Sequence, residues 1–256
     1  MEQIYFLEEN YEEWIEFSHL IDFGTEGSIM SFGDEVIKLL HQNLNGITKY
    51  RLRKLESIDG LKEFITMPTK EIYYDYRFIG FAMKYAGINF RDFLIKHIND
   101  GTLTDDIKIT YLKHIRDCLE ALRHYNVIHG DIQPRNILID QEKVLIGDIN
   151  NCSFAHFRNP YFNEISKRLF QKYGLCTLID LQTFNYFTYL IMNLSGSELE
   201  SALNSGADFI WWNDIRDISN KTFDDSVTNM QLDVLFNKNS KKKALIKSDY
   251  LINHLR

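Results

Sequence analysis

Proline and cysteine are both scarce in this chain of 256 residues, which has three of each. The scarcity of proline, and the lack of any Ser/Gly-rich stretch, exclude a long linker, so two lobes would need a short, ordered connection. The cysteines are scattered and show no metal-ligand spacing; they are Cys118, Cys152 and Cys176. We therefore expect reduced thiols in a cytoplasmic protein rather than a zinc site or a disulfide framework.

Long apolar runs and excess positive charge are also absent. No apolar run approaches the roughly 20 residues that span a membrane, and the acidic N-terminal stretch does not resemble a secretion signal. The net charge of −7 disfavours binding to nucleic acid or to an anionic membrane surface. The apolar fraction of 45% is typical of a globular protein, and the length allows one large domain or two lobes.

The most informative stretch is 127–151, in which two apolar runs at 137–139 and 144–146 flank a polar turn. This pattern predicts a β-hairpin. Three oxygen-bearing side chains lie before and after the hairpin: Asp131, Asn136 and Asp148. A hairpin brings such positions toward one edge of a small sheet, and oxygen ligands suit a hard divalent cation such as Mg²⁺.

A second informative stretch lies upstream, where a glycine turn separates two predicted strands. Gly24 and Gly27 bracket this turn, whose backbone N–H groups are suited to phosphate oxygens. The next predicted strand, 35–40, carries Lys38 on the same face as Val36, with the other apolar residues opposite. A lysine inside an apolar strand needs an anionic partner, and the sequence leaves open whether that partner is a carboxylate or a phosphate.

Apolar spacing divides the chain into a β-rich first part and a helical second part. The first part is predicted to contain strands and one helix over 47–58, with residues 1–18 as an element packed against it. The second part is predicted to contain helices over 90–98, 107–125 and 178–194. Thr104, followed by two aspartates, predicts the N-cap of the second of these helices.

The order of these motifs over residues 18–196 resembles the protein-kinase family. The most specific part is His129 to Asp148, which contains the pattern H-x-D-x-x-x-x-N, the hairpin and a following aspartate. The resemblance implies an α+β, bilobal fold. In that fold, residues 1–84 would form a β-rich N-lobe and residues 85–256 a mainly helical C-lobe.

The resemblance also implies an ATP site between the lobes. Gly24 and Gly27 correspond to two glycines of the phosphate-covering loop, Asp22 stands where another would be, and Lys38 corresponds to the lysine that binds the α- and β-phosphates. Met83 corresponds to the gatekeeper residue. The residues implied to surround adenine or to form the hinge are Ile29, Val36, Leu138, Lys84, Tyr85 and Ala86.

Catalytic roles are likewise implied by the resemblance. Asp131 is similar to the aspartate that orients the acceptor hydroxyl, and Arg135 to a residue that neutralises the γ-phosphate. Asn136 and Asp148 resemble the ligands of Mg²⁺, for which Mn²⁺ is an alternative. Asp180 resembles the aspartate that hydrogen-bonds the backbone of the catalytic loop.

Several positions depart from the family pattern. Gly130 replaces an arginine that contacts a phosphorylated loop, and Gln133 replaces a lysine two residues after the catalytic aspartate. Asn150 replaces the glycine of D-F-G, and we expect it to adopt the positive φ that this turn requires, because Asn tolerates it well. Glu164 is a weak substitute for the A-P-E motif, and Glu56 is the candidate partner of Lys38.

The resemblance favours an ATP- and Mg²⁺-dependent phosphotransferase that acts on a protein hydroxyl, with Ser or Thr as the acceptor. Two alternatives stay open. Gly130 is also typical of small-molecule kinases of the aminoglycoside and choline type, for which the acceptor is a small hydroxyl-bearing molecule. The degenerate motifs instead favour a nucleotide-binding pseudokinase that acts as a binding module.

Overall fold

The computed structural model describes residues 4–8, 11–14, 19–23, 26–41, 45–74, 76–141, 143–155, 157, 162–163, 166–167, 170–171 and 177–204. Three residues singled out in the sequence lie outside these ranges: Gly24, Glu164 and Cys176.

The first part of the chain forms a sheet with one helix. Its strands are β1 (Ile4–Glu8), β2 (Tyr11–Trp14), β3 (His19–Phe23), β4 (Gly27–Phe32), β5 (Glu35–Leu40), β6 (Pro68–Tyr74) and β7 (Arg77–Lys84), and its helix is α1 (Asn45–Glu56). Within the described ranges the sheet has seven antiparallel strands in the order β2-β1-β6-β7-β5-β4-β3. The N-terminal residues therefore extend the sheet at the edge of β6 through β1 and β2.

The two faces of this sheet carry different side chains, as the period of two along β5 predicts. On one face Ile37 packs with Ile72 and Ala82 in a separate apolar cluster. On the other face lies Lys38, whose neighbour Leu40 joins the main core with residues of α1. The sheet thus presents Lys38 toward the second part of the chain.

Gly27 has a packing reason to be glycine. A Cβ at this position would overlap with the backbone carbonyl of Leu39 on β5, and one at Gly80 would overlap with the carbonyl of Lys38. Glycines at both positions therefore allow β4 and β7 to approach the strand that carries Lys38.

The second part of the chain is mainly helical, which confirms the predicted α+β fold. Its elements are β8 (Ile88–Asn89), α2 (Phe90–Asn99), α3 (Asp105–His124), β9 (Ile137–Asp140), β10 (Lys143–Ile146), α4 (Ile179–Asn193) and α5 (Gly196–Asn204). Strands β9 and β10 form the predicted hairpin, and β8 pairs with β9. The division into lobes at residue 84, where β7 ends, remains a prediction.

Local signals explain where the helices begin and which face they bury. The Thr104 side chain accepts a hydrogen bond from the Ile107 N–H at 3.3 Å, which caps α3 as predicted. Residues spaced three or four apart along α3 are buried: Leu112, Ile115, Leu119 and Leu122. Among the described helices, none is long and apolar enough to cross a bilayer.

The two parts of the chain are joined by backbone pairing beside the hairpin. The Ile146 N–H donates to the Phe64 carbonyl at 2.8 Å, and the Thr66 N–H donates to the Ile146 carbonyl at 2.9 Å. A single apolar core contains buried side chains of both α1 and α3. This junction brings the residues after β10 to the face of the sheet that carries Lys38.

Candidate functional site

The loop that contains His129 and Asp131 is anchored by Asp180 in the first turn of α4. The His129 N–H donates to Asp180 Oδ2 at 2.6 Å, and the Gly130 N–H donates to Oδ1 at 2.8 Å. The predicted contact of Asp180 with the loop backbone is therefore confirmed. Burial raises the pKa of the Asp180 carboxyl, and the two N–H donors oppose that shift because they favour the ionised form.

His129 connects this loop to the end of the hairpin. Its Nδ1 accepts a hydrogen bond from the Asp131 N–H at 3.2 Å, and its Nε2 lies 2.8 Å from the carbonyl oxygen of Gly147. In the first contact Nδ1 is the acceptor, and in the second Nε2 faces an acceptor oxygen. Asp148 follows Gly147 directly in the chain. His129 thereby holds Asp131 and Asp148 at the same end of the hairpin.

Gly130 adopts a backbone conformation that suits glycine. Its φ is 81°, in the left-handed region that other residues enter at a steric cost. Its N–H must also point at Asp180. The glycine of the H-G-D motif thus has a local backbone explanation, and its presence alone does not distinguish one class of acceptor from another.

Asp131 is held by amide side chains on its own loop. Its Oδ2 accepts hydrogen bonds from Gln133 Nε2 and from Asn136 Nδ2, both at 3.0 Å. Burial raises the pKa of Asp131, the Asp148 carboxylate raises it further, and hydrogen bonds from Asn136 and Asn163 oppose the shift. Gln133, at the position of a lysine in the kinase pattern, therefore orients the carboxylate without adding charge.

Asp148 has a left-handed backbone, with φ 54° and ψ 44°. A residue other than glycine in this conformation costs about 1–3 kcal/mol, and such strain is concentrated at functional sites. The predicted positive φ at Asn150 is wrong, because Asn150 lies in the 3₁₀ turn Ile149–Asn151 and the left-handed residue is Asp148. Asp148 begins this turn, so its conformation redirects the chain toward the sheet.

Lys38 is buried and contacts three side chains of the site. Its Nζ bonds Asp148 Oδ1, lies 2.8 Å from Asn150 Oδ1 and lies 3.5 Å from Glu26 Oε2. Burial alone would raise the pKa of Asp148, but the adjacent Lys38 ammonium outweighs this effect and lowers it. The structure therefore places two carboxylates, those of Asp148 and Glu26, beside Lys38, and the binding of phosphate by Lys38 stays a prediction.

The predicted pairing of Lys38 with Glu56 is wrong. The Glu56 side chain is 55% exposed and lies 3.7 Å from Lys62 Nζ. The register of α1 turns other residues inward, among them Leu52, Leu55 and Arg51. Glu56 at the end of the helix therefore faces solvent.

Arg51 and Glu26 are site residues that the sequence reasoning missed. Arg51 is 4% exposed, and its Nη1 donates to the Asn150 carbonyl at 2.7 Å and to Asn151 Oδ1 at 3.2 Å. Burial lowers the pKa of the Arg51 guanidinium. The available signals were weak: Arg51 occupies an apolar position of the predicted helix, and Glu26 is an acid between the two glycines of the turn.

The residues predicted to surround a nucleotide lie on both sheets. On the first sheet, cross-strand pairing places Ile29 opposite Lys38, and Val36 opposite Met83. On the second sheet, Leu138 of β9 lies opposite Asn89 of β8, and β8 begins shortly after the predicted hinge.

The hinge residues and Arg135 differ in exposure. Tyr85 is 52% exposed, whereas Ala86 is buried. The Tyr85 N–H donates to the Asp34 carbonyl at 3.1 Å. Arg135 is exposed in the 3₁₀ turn Pro134–Asn136. Their predicted roles in binding ATP remain predictions.

The donor set around Asp131 and Asp148 fits a hard divalent cation. Their carboxylates interact unfavourably with one another, a repulsion that a cation would relieve. Asn136 turns its Nδ2 toward Asp131, so its Oδ1, the atom type that coordinates Mg²⁺, lies at the other end of the amide. In the described ranges no cluster of three His, Cys, Asp or Glu side chains forms a metal site, so the candidate set mixes carboxylate and amide oxygens.

Comparison with known proteins finds partial similarity to kinases. The chain is 29% identical over 79 residues to the human MAPK/MAK/MRK overlapping kinase, and 28% identical over the same length to the mouse protein of that name. A protein of Acanthamoeba polyphaga mimivirus, whose name describes a serine/threonine-protein kinase, is 31% identical over 70 residues.

The similar stretches are short parts of this chain and of each of the three proteins. They cover 31%, 31% and 27% of this chain, and 18%, 18% and 13% of the human, mouse and mimivirus proteins. No family model matches the chain. Part of the chain is therefore similar to protein kinases, in agreement with the fold and with the positions of the motifs.

Proposed function

We propose that this protein is an ATP- and Mg²⁺-dependent phosphotransferase whose acceptor is a Ser or Thr hydroxyl of a protein. The observation that carries the proposal is the meeting of Lys38 and Asp148. These residues are 110 positions apart, yet their side chains bond in a largely buried site beside Asp131. The partial similarity to kinases supports the same class of reaction.

The nucleotide side of the reaction would depend on the first sheet. The Lys38 ammonium, held beside Asp148, would bind the α- and β-phosphates of ATP. Ile29 and Val36 on the sheet and Leu138 on β9 would enclose adenine, and the backbone of residues 84–86 would hydrogen-bond its edge. A site of this kind positions the phosphates before the reaction, which is a large part of phosphoryl-transfer catalysis.

The acceptor side would depend on the loop 129–136. Asn136 and Asp148 would hold Mg²⁺, which supplies neutralisation of charge on the phosphate oxygens. Asp131, fixed by Gln133 and Asn136, would orient the acceptor hydroxyl and take its proton late in the transfer. Burial raises the pKa of Asp131, which makes it a better proton acceptor than an exposed aspartate.

The proposal is tested with purified protein, Mg²⁺, γ-labelled ATP and a generic protein acceptor. We expect Asp131→Asn to lower the transfer rate by about 100-fold or more, because a positioned proton acceptor contributes about that much. The matched control is Asp140→Asn, at an exposed position on the hairpin that follows Asp131. This variant should transfer phosphate at the wild-type rate.

Other outcomes would contradict the proposal in distinct ways. Transfer only to aminoglycosides, choline or sugars would identify a small-molecule kinase. ATP binding without transfer under any divalent metal would identify a pseudokinase. Ligand at about 100 times its dissociation constant stabilises a protein by roughly 2.7 kcal/mol, so the absence of any thermal shift with ATP or GTP and Mg²⁺ would exclude a nucleotide site.

A further inference from the structure

Glu26 lies between the nucleotide lysine and the turn that follows the hairpin. Its carboxylate accepts hydrogen bonds from Asn150 Nδ2, at 2.7 Å, and from Asn151 Nδ2, and it lies 3.5 Å from Lys38 Nζ. The Glu26 side chain is only 12% exposed. Its backbone is fixed as well, because its carbonyl accepts a hydrogen bond from the His41 N–H at 2.8 Å.

The asparagine between Glu26 and Lys38 has a defined orientation. Asn150 Oδ1 accepts from Lys38 Nζ, whereas Asn150 Nδ2 donates to Glu26. An amide that bridges an ammonium and a carboxylate in this way satisfies both of its ends. The contacts among these three residues therefore form one continuous polar network.

Helix α1 does not supply a carboxylate to this network. Glu56 is the only acidic residue of the helix, and its side chain lies beside Lys62 on the exposed surface. The charged residue of α1 that faces inward is Arg51, which adds a second buried cation.

Glu26 adds a second carboxylate beside the two cations of the network. Lys38 and Arg51 are cations, Asp148 and Glu26 are anions, and Asn150 and Asn151 are neutral. Glu26 lies 3.5 Å from Lys38 Nζ and also attracts the Arg51 guanidinium. Removal of one member of a buried ion pair is strongly unfavourable, because the other charge loses its compensation.

We propose that Glu26 is a positioning residue, which holds the Lys38 ammonium in place for the phosphates of the nucleotide. In this role the turn before β4 supplies the carboxylate that helix α1 lacks. The inference rests on the proposed phosphotransferase function and assigns to that site a specific residue that the kinase pattern does not indicate.

The test compares the same substitution, glutamate to glutamine, at positions 26 and 56. Glu26→Gln keeps the size and an acceptor oxygen but removes the charge, and we expect kcat/KM for ATP to fall by about 10- to 100-fold, the range for one charged hydrogen bond. Glu56→Gln is the matched control and should leave kcat and KM unchanged. Glu26→Asp keeps the charge and should recover most of the activity.

A second measurement does not depend on activity. Lys38 of the nucleotide-free protein is acetylated by acetic anhydride and quantified by mass spectrometry relative to the exposed Lys84. A Lys38 side chain that loses its contact with Glu26 is held less firmly and is more accessible to the reagent, so the ratio should rise several-fold in Glu26→Gln and stay at the wild-type level in Glu56→Gln and Glu26→Asp. Equal ratios in all four proteins would overturn the proposed role.

The outcomes separate this inference from the function on which it rests. If the wild type transfers phosphate and Glu26→Gln matches it, the positioning role is wrong and the proposed function stands. If Glu26→Gln binds ATP more tightly, Glu26 blocks the site and does not position Lys38. If the wild type neither binds nor transfers phosphate, the proposed function fails and this inference fails with it.

Discussion

The lower wall of the site, formed by residues 129–136 and Asp180, is held by one carboxylate that bonds two backbone N–H groups. The upper wall, formed by the side chains of Glu26, Lys38, Arg51, Asn150 and Asn151, is held differently. Most of its contacts join residues that are between 99 and 125 positions apart in the sequence. The two walls therefore depend on different features of the chain.

The difference explains which departures from the kinase pattern are tolerated. Every residue except proline offers a backbone N–H, so Asp180 can anchor the loop whatever side chain stands at position 130, and glycine even suits the local φ. A network of side chains, in contrast, requires particular residues. Asn150, which replaces a glycine of the family pattern, contacts Lys38 and Glu26 through its amide, so the contacts of these three residues depend on one another.

Asp180→Ala tests the lower wall and should have the largest effect. It leaves two buried N–H groups without their acceptor, at about 1–3 kcal/mol each, so we expect the free energy of unfolding to fall by about 2–6 kcal/mol in urea titrations. Asp117→Ala, at an exposed position on α3, should change it by less than about 0.5 kcal/mol. A loss below about 1 kcal/mol for Asp180→Ala would show that the anchor is not structural.

Arg51→Met tests the upper wall and should have a smaller effect on stability. It removes the donor to the Asn150 carbonyl and to Asn151 while keeping an apolar stem, so we expect a loss of about 1–3 kcal/mol. Lys54→Met, on the exposed side of the same helix, serves as the control. Destabilisation as large as that of Asp180→Ala would remove the distinction between the walls.

Asp131→Asn should stabilise the protein at neutral pH while it slows the proposed phosphoryl transfer. The folded pKa of Asp131 is raised above its unfolded value, chiefly by burial. The ionised carboxylate therefore opposes folding, and its cost grows as pH rises from the unfolded pKa through the folded pKa. We therefore expect Asp131→Asn to be more stable than the wild type at pH 7.

The pH dependence of that gain provides its check. Urea titrations of the wild type and of Asp131→Asn should give the same stability at a pH below the unfolded pKa, about 3.9, and should diverge toward neutral pH. A variant that is less stable than the wild type at pH 7 would mean that hydrogen bonds to the carboxylate outweigh its burial.

The two buried cysteines, Cys118 and Cys152, provide the comparison with the smallest expected effect. Burial raises the pKa of Cys118 to about 12 and that of Cys152 well above its usual range, so neither should react with a thiol reagent at pH 8 before unfolding. Cys152 follows the asparagines of the upper wall, whereas Cys118 lies on α3. Reaction of Cys152 well before Cys118 in low urea would show that the upper wall opens separately.

Local patterns were sufficient to predict much of the fold. The hairpin, the capped helix α3 and the strand that carries Lys38 follow from the spacing of apolar residues. That spacing is two residues in a strand and three to four residues in a helix, and it depends only on neighbours in the chain. These features agree with the structure because short-range geometry determines them. The contact of Asp180 with the loop backbone was instead implied by the resemblance to kinases, since it joins residues that are 50 and 51 positions apart.

Contacts across the chain were not predictable in the same way. The sequence suggested Glu56 as the partner of Lys38, but the register with which α1 packs turns Glu56 outward and Arg51 inward. The left-handed residue is Asp148 and not Asn150. Such outcomes depend on how a helix rotates against a sheet and how a turn closes, which no local pattern specifies.

By itself the sequence determined the α+β arrangement, the elements that carry Lys38, Asp131 and Asp148, and the resemblance to kinases. Only the tertiary structure decided which carboxylate meets Lys38, because the glutamates at positions 26 and 56 are equivalent as sequence letters. A buried ammonium requires an anion within a few ångströms, and the chain meets that requirement with whichever residue the packing of strand, turn and helix brings there. In this protein that residue is Glu26, together with Asp148.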